Sequence, residues 1–216
     1  MPANDATRDA LARFLEERGV GSGRAVEALE RYERLIRRWN ARGNLVSRRD
    51  LGRLRDRHVI DSLGLLPWWH GSLVDVGSGA GFPGVPLAIA RPESPVTLVE
   101  RSQRKARFLQ HVIIELALGN TEVIEADFGQ PHAADSLDGR VFDTVTARAV
   151  APPAATWRMQ QGLLAPGGSA LLQSGGPLHA SMFDGGEIRA CERTGKTWVT
   201  VVGSASSRKH AIVGRR

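Results

Sequence analysis

Apolar positions in the first third of the chain fall at helical spacing. From Arg24 onward Val26, Leu29, Leu35, Ile36 and Trp39 recur along one face, with Arg and Glu between them. Asn40 and Gly43 end that helix. A shorter amphipathic stretch, Asp9 to Arg18, precedes it and closes at Gly19, and Gly21-Ser22-Gly23 breaks the two apart. Ser47 with Asp50 three residues later predicts an N-cap pair for a further helical turn. Arg57 to Leu66 continues as helix until Pro67 stops it. Residues 1–70 contain no strand-like run and read as a helical cap belonging to the same domain as the rest of the chain.

After residue 71 the pattern changes to short apolar runs alternating with helical stretches. Ser72–Val76, Val96–Glu100, Glu122–Ile124, Phe142–Thr146 and Ser169–Gln173 read as strands. Helices open at Val85, run from Gln103 to Ala117, and run from Pro152 to Leu164. Such alternation predicts an α/β fold, a doubly wound parallel sheet with helices on both faces. Trp198–Val202 and His210–Val213 are two late strands with no helix between them, so they are expected to pair antiparallel and bring the sheet to seven strands. The 71–216 unit is the expected catalytic portion.

Composition narrows the class. The 216 residues suit one domain, and the balance of 42% hydrophobic to 24% charged is that of a globular protein. No apolar run approaches the roughly 18 residues that span a bilayer. The polar N-terminus with its two Asp does not read as a signal peptide. The single cysteine, Cys191, forms neither an internal disulfide nor a metal site alone, so a cytoplasmic location and no metal are expected. The net charge of +6 suggests a polyanionic partner. Arg24 to Arg57 holds eleven Arg against five acids. Arg31 and Arg34 on the long helix, Arg57 and His58 before the sheet, and Arg104 and Lys105 on the later helix are therefore candidate RNA contacts. A solvated face accounts equally well for Arg104 and Lys105, and for His58 a packed, hydrogen-bonded histidine is the more usual role.

The chemistry concentrates in Asp75 to Gly84. Gly77, Gly79 and Gly81 let the chain turn sharply from strand to helix and approach a ligand. That places a ligand over the carboxyl ends of the strands. Gly79 to Gly84 also matches the dinucleotide pattern G-x-G-x-x-G, so a nicotinamide-dependent oxidoreductase is the competing reading. Asp75, two residues before Gly77, points instead to S-adenosylmethionine: an acid there bonds an ammonium, directly or through water, and would repel a pyrophosphate. Glu100, ending the second strand, accepts both ribose hydroxyls of either ligand. Ala126-Asp127 is placed to read the adenine amine, unless Asp127 only caps the next turn. Pro166-Gly167-Gly168 before a strand, then the antiparallel pair, is the tail of a class I methyltransferase. Arg148 follows a parallel strand, where it either orients a carboxylate or phosphate or closes a helix-end salt bridge. Trp68-Trp69 serves either to stack a base or to fill a seam between cap and sheet.

Six segments in order resemble one family, the small-subunit ribosomal RNA methyltransferase G family, also called glucose-inhibited division protein B. They are Tyr32–Asn40 with Asn44-Leu45; Arg57–Leu63; Asp75–Gly84; Arg104–Leu109; Phe142–Ala149; and Leu163–Gly168. The resemblance implies methylation of N7 of a guanine in 16S ribosomal RNA, free or in the small subunit particle, by a monomer. It also implies that Gly77, Phe82, Ala126-Asp127 and Arg148 contact the donor. The family usually carries Arg-Ala-Glu where this chain has Glu125-Ala126-Asp127, and Lys-Gly where it has Ser174-Gly175. The chemistry is compatible. Guanine N7 carries an in-plane lone pair and attacks without first losing a proton, so no general base is expected and alignment dominates. An RNA-binding protein with a vestigial donor site is the non-enzyme alternative.

Overall fold

The computed structural model describes residues 2–128, 136–148 and 151–205, with the backbone alone for residues 2–5. The cap consists of α1 (Pro2–Glu16), α2 (Ser22–Asn40), the single turn α3 (Arg48–Leu51), a π-helical turn (Arg55–Val59) and α4 (Ile60–Leu63). The apolar stripe read from the sequence is the face that α2 buries: Val26, Leu29, Leu35 and Ile36, with Tyr32 among them. Asn40 ends α2 and then builds the next loop. Its side-chain oxygen accepts the amides of Leu45 (2.7 Å) and Val46 (2.9 Å). Ser47 caps α3 through the Asp50 amide, as the spacing predicts.

The remaining elements are β1 (Leu73–Val76), α5 (Gly84–Ala90), β2 (Val96–Glu100), α6 (Gln103–Leu116), β3 (Thr121–Glu125), β4 (Phe142–Ala147), α7 (Pro153–Gln160), β5 (Leu164–Ser174), β6 (Gly186–Thr194) and β7 (Thr197–Ser204). The seven strands form one sheet in the order β3-β2-β1-β4-β5-β7-β6. β1 lies between β2 and β4, parallel to both, so the chain's winding reverses at β1. Val76 is in register with Val99 and Ala147. Glu100, Gly77 and Arg148 therefore leave neighbouring strands at the same edge, the crevice where open α/β sheets bind ligands.

β7 runs antiparallel to β5 and β6. The sequence reading is right about β7 and wrong about its partner. The hairpin mate is β6, turning at Gly195 with φ +60°, and residues 210–213 lie outside the described residues. β6 escapes a periodicity reading because it is an edge strand with no fully buried position, and a bulge between Ile188 and Ala190 breaks its alternation.

One apolar core runs through cap and sheet, joining Leu29, Tyr32 and Ile36 to Leu109, Val85 and Leu98. Trp39 packs edge-on against Phe108 at 5.4 Å. Trp69 is buried in the same core, its indole N–H bonded to the Gly71 carbonyl, so of the two uses of the tryptophan pair the seam is the one seen for Trp69.

Candidate functional site

A cavity of about 660 Å³ opens at the carboxyl edge of β1, β2 and β4. Its walls include Gly77, Gly79 and Phe82 of the glycine loop, Glu100, Ala126, Asp127 and Arg148, together with His58 and Lys105. The structure thus brings residues singled out in separate segments of the sequence around one cavity.

Glu100 is fixed before any ligand arrives. One carboxylate oxygen accepts the Gly79 amide and the other the Ser102 amide, both at 2.8 Å. Each oxygen keeps a second lone-pair direction for a hydroxyl pair. Gly77 and Gly79 sit at φ +72° and +60°, the left-handed region, which lets the loop aim the Gly79 amide at Glu100. Asp127 lies 3.6 Å from the Arg101 guanidinium at the same end of the cavity.

Asp75 departs from expectation. It is fully buried beneath the loop and forms no part of the cavity wall. One oxygen accepts the Gly84 amide at 3.0 Å, while the other is buried without a partner. Burial pushes its pKa up to about 7, against the pull of the Gly84 and Ser78 hydrogen bonds and of Arg148. A charge or water on the cavity side of the loop would meet a carboxylate poised to ionise.

Arg148 stands at the other end. Its guanidinium lies over the Phe82 ring, 5.2 Å from the centroid, and donates to His58 Nδ1 at 2.5 Å. A guanidinium only donates, so Nδ1 is the bare nitrogen and the histidine proton sits on Nε2. Burial first, then the Arg148 charge, lowers the His58 pKa to about 4, so the ring stays neutral near pH 7. His58 stacks on Phe82 at 4.9 Å, and Tyr32 tilts against the other flank at 5.4 Å while donating to the Ala80 carbonyl. Phe82 is therefore a wall clamped by the cap. Among the described residues no carboxylate comes within ion-pair distance of Arg148, which leaves N–H donors for an anionic ligand. Among those residues the helix-end salt bridge weighed for it has no partner.

The basic candidates divide. His58 and Lys105 border the cavity. Arg104 is exposed near the Asn44 carbonyl, and Arg57 is exposed and paired with Asp50 at 3.2 Å. Arg31 and Arg34 line a different hollow of about 440 Å³ with Arg8 and Arg24. Arg31 bonds Glu115 in the last turn of α6, ten residues beyond Lys105, roughly 15 Å along the helix. The cap half of the cavity, Leu45, Val46 and Asp50, lies outside the site that sequence reasoning assembles. Its only signal is the Asn40 to Leu45 spacing, whose meaning depends on the Asn40 hydrogen bonds.

The family model described as rRNA small subunit methyltransferase G matches residues 25–191, most of the chain. The chain belongs to that family. A ribosomal RNA small subunit methyltransferase G of Xanthomonas campestris pv. campestris (strain 8004) is 37% identical over 94% of this chain and 92% of its own length. The one from Alkalilimnicola ehrlichii is 48% identical over 59% of this chain and 56% of its own. Among solved structures, the glycopeptide N-methyltransferase MtfA complexed with sinefungin superposes with a TM-score of 0.53 at 12% identity, covering 68% of this chain and 94% of that one. A ribosomal protein L11 methylase from Lactobacillus delbrueckii subsp. bulgaricus gives 0.51 at 13% identity, over 67% and 76%. These two share this chain's fold, that of the class I methyltransferases. Membership in the methyltransferase G family makes the chain an enzyme, a methyltransferase, and overturns the oxidoreductase reading. The geometry supplies the reason. Two amides of the glycine pattern, Gly79 and Gly84, are already taken by the carboxylates of Glu100 and Asp75, so they cannot cradle a pyrophosphate.

Proposed function

We propose that this methyltransferase G family member uses S-adenosylmethionine to methylate N7 of a guanine in 16S ribosomal RNA, free or in the small subunit particle. It does so as a cytoplasmic monomer. The observation that carries this reading is the cavity with a pre-fixed carboxylate at one end and a guanidinium short of an anion at the other. That spacing suits a ligand with a ribose at one end and an amino acid at the other. Glu100 takes the ribose hydroxyls, Ala126 and Asp127 flank the adenine, and Arg148 takes the methionine carboxylate. Gly77 lets the loop pass close under the ligand, and Phe82 closes the cavity on the cap side. S-adenosylmethionine supplies a methyl carbon on a positively charged sulfur, open to an attacking lone pair. The protein contributes alignment and exclusion of water. Neutral His58, with Nδ1 engaged by Arg148, is not free to act as a base, and an N7 nucleophile asks for none. Among the described residues no group of His, Cys, Asp and Glu is placed to hold a metal, and no helix is long and apolar enough to cross a membrane. Lys105 at the cavity, the exposed Arg104 and Arg57, and Arg31 and Arg34 on α2 take RNA phosphates.

The direct experiment is transfer of tritiated methyl to small-subunit RNA, with the base mapped by strand scission at 7-methylguanine. Absence of label in RNA, with S-adenosylhomocysteine still binding, would remove the substrate half of the proposal. Absence of binding would support the vestigial-site alternative.

Asp75 adds a pH test. Its folded pKa of about 7 exceeds the ordinary 3.8, so between those values the folded chain holds a proton that the unfolded chain has lost. This group therefore costs stability progressively as pH rises from about 4 to about 7. A ligand ammonium across the loop favours the ionised form, so binding expels the proton and tightens as pH rises through 7. Calorimetry of S-adenosylhomocysteine at pH 7 in buffers of different ionisation heat should show about half a proton released. Asp75→Asn should abolish that release. A wild-type signal equal to the variant's would separate Asp75 from the ammonium.

A further inference from the structure

The donor assignment leaves one wall of the cavity without a role. Besides His58, which stacks on Phe82 and bonds Arg148, the cap contributes Leu45, Val46 and Asp50 to the cavity wall. Leu45 and Val46 are held there by Asn40 and offer apolar surface of the kind that flanks a base. Asp50 is the one acid of this wall among the described residues. Its carboxylate is held by Ser47 Oγ, which donates to Oδ2 at 2.7 Å, and by Arg57 Nε, 3.2 Å from Oδ1, while His58 Nε2 lies 4.0 Å from Oδ2, beyond hydrogen-bond distance. A carboxylate has about four lone-pair directions, so two remain. The side chain is one-quarter exposed and borders the cavity. Exposed arginines 48, 49, 53 and 57 surround it, which makes the approach of an RNA strand to an acid electrostatically tolerable.

Guanine geometry then sets what faces this wall. A guanine that presents N7 to the donor turns the far side of its ring, N1–H and the N2 amine, toward the cap. Both are donors, and a bidentate acceptor is their complement. We propose that Asp50 is the specificity-determining residue of the target-base subsite, its carboxylate accepting N1–H and N2–H of the guanine. Adenine carries a lone pair at N1, which the same carboxylate repels. The carboxylate serves the reaction as well as recognition, because the purine becomes cationic as N7 gains the methyl group and a fixed negative charge favours that change. The inference rests on the N7-guanine reading above.

The test replaces the methylated guanosine by inosine, which lacks only the N2 amine, in otherwise identical small-subunit RNA. The wild-type enzyme should prefer guanosine about tenfold in kcat/KM, the size of one hydrogen bond to a charged acceptor. Asp50→Asn should lose at least about tenfold on guanosine and accept the two substrates within about twofold, because the amide no longer offers two acceptors. S-adenosylhomocysteine affinity should stay within about threefold, showing that the donor half is intact. Asp50→Ser repeats the comparison should the amide variant fail to fold. A wild-type enzyme indifferent to inosine overturns the proposal, as does a variant that keeps the full preference; Asp50 would then serve only to bond Ser47, the cap of α3, and to pair Arg57. Failure of the underlying reading looks different: no methyl transfer by the wild type to guanosine-containing RNA at all.

Discussion

Arg148→Ala is expected to weaken S-adenosylhomocysteine binding by about 100-fold with the chain still folded. The side chain combines three roles in one geometry: it faces the cavity, lies on Phe82 and donates to His58. Removing a desolvated charged donor from a ligand carboxylate costs about 2–5 kcal/mol, which spans the expected fold-change. Lysine should recover little, because a point charge neither forks onto a carboxylate nor lies flat on a ring. His58→Phe separates the parts. It keeps the ring on Phe82 and removes the acceptor, so it should lose about tenfold, while His58→Asn, with an oxygen near the position of Nδ1, should stay close to wild type. Calorimetry on the four variants checks the series. Affinity retained in Arg148→Ala would place the methionine carboxylate elsewhere and break the donor assignment.

The features legible in the sequence have a common physical origin. Sheet order, the glycine loop and the edge that gathers Glu100, Gly77 and Arg148 come from local patterns that topology rules convert into position. Contacts between distant segments do not. The His58–Arg148 bond joins residues 90 apart, and neither residue carries a mark of the other. Asp75 reads as a ligand contact because it neighbours Gly77, but alternation along β1 turns it under the loop onto the Gly84 amide. The cap wall of the cavity is hidden for the same reason: Asp50 reads as the partner of the Ser47 helix cap, which it is, and only packing sets it against the cavity. β6 is hidden because its residues pack on one neighbour only and carry the polar pattern of an edge.

Gly81→Ala is expected to be far more damaging than Gly79→Ala in the same loop. The residue sits at φ +99°, outside the range that L side chains favour. An added Cβ would stand 2.6 Å from Val85 Cγ2, 2.8 Å from the Tyr32 hydroxyl and 3.0 Å from Leu109 Cδ2. Backbone strain and overpacking together suggest a loss of about 3–5 kcal/mol, or a melting temperature lower by about 10 °C in a chain of this size. The Tyr32 contact makes the consequence functional. That hydroxyl bonds the Ala80 carbonyl and its ring braces Phe82, so displacing it loosens the cap from the loop. Donor affinity should fall at least tenfold in whatever fraction stays folded. Gly79→Ala is the control. It shares a positive φ of +60°, but its Cβ meets nothing nearer than the Gly77 carbonyl at 3.8 Å. The left-handed penalty alone, about 1 kcal/mol, should lower its melting temperature by a few degrees. Equal losses in the two variants would mean that backbone conformation, rather than the Tyr32 brace between cap and loop, decides the stability of the site.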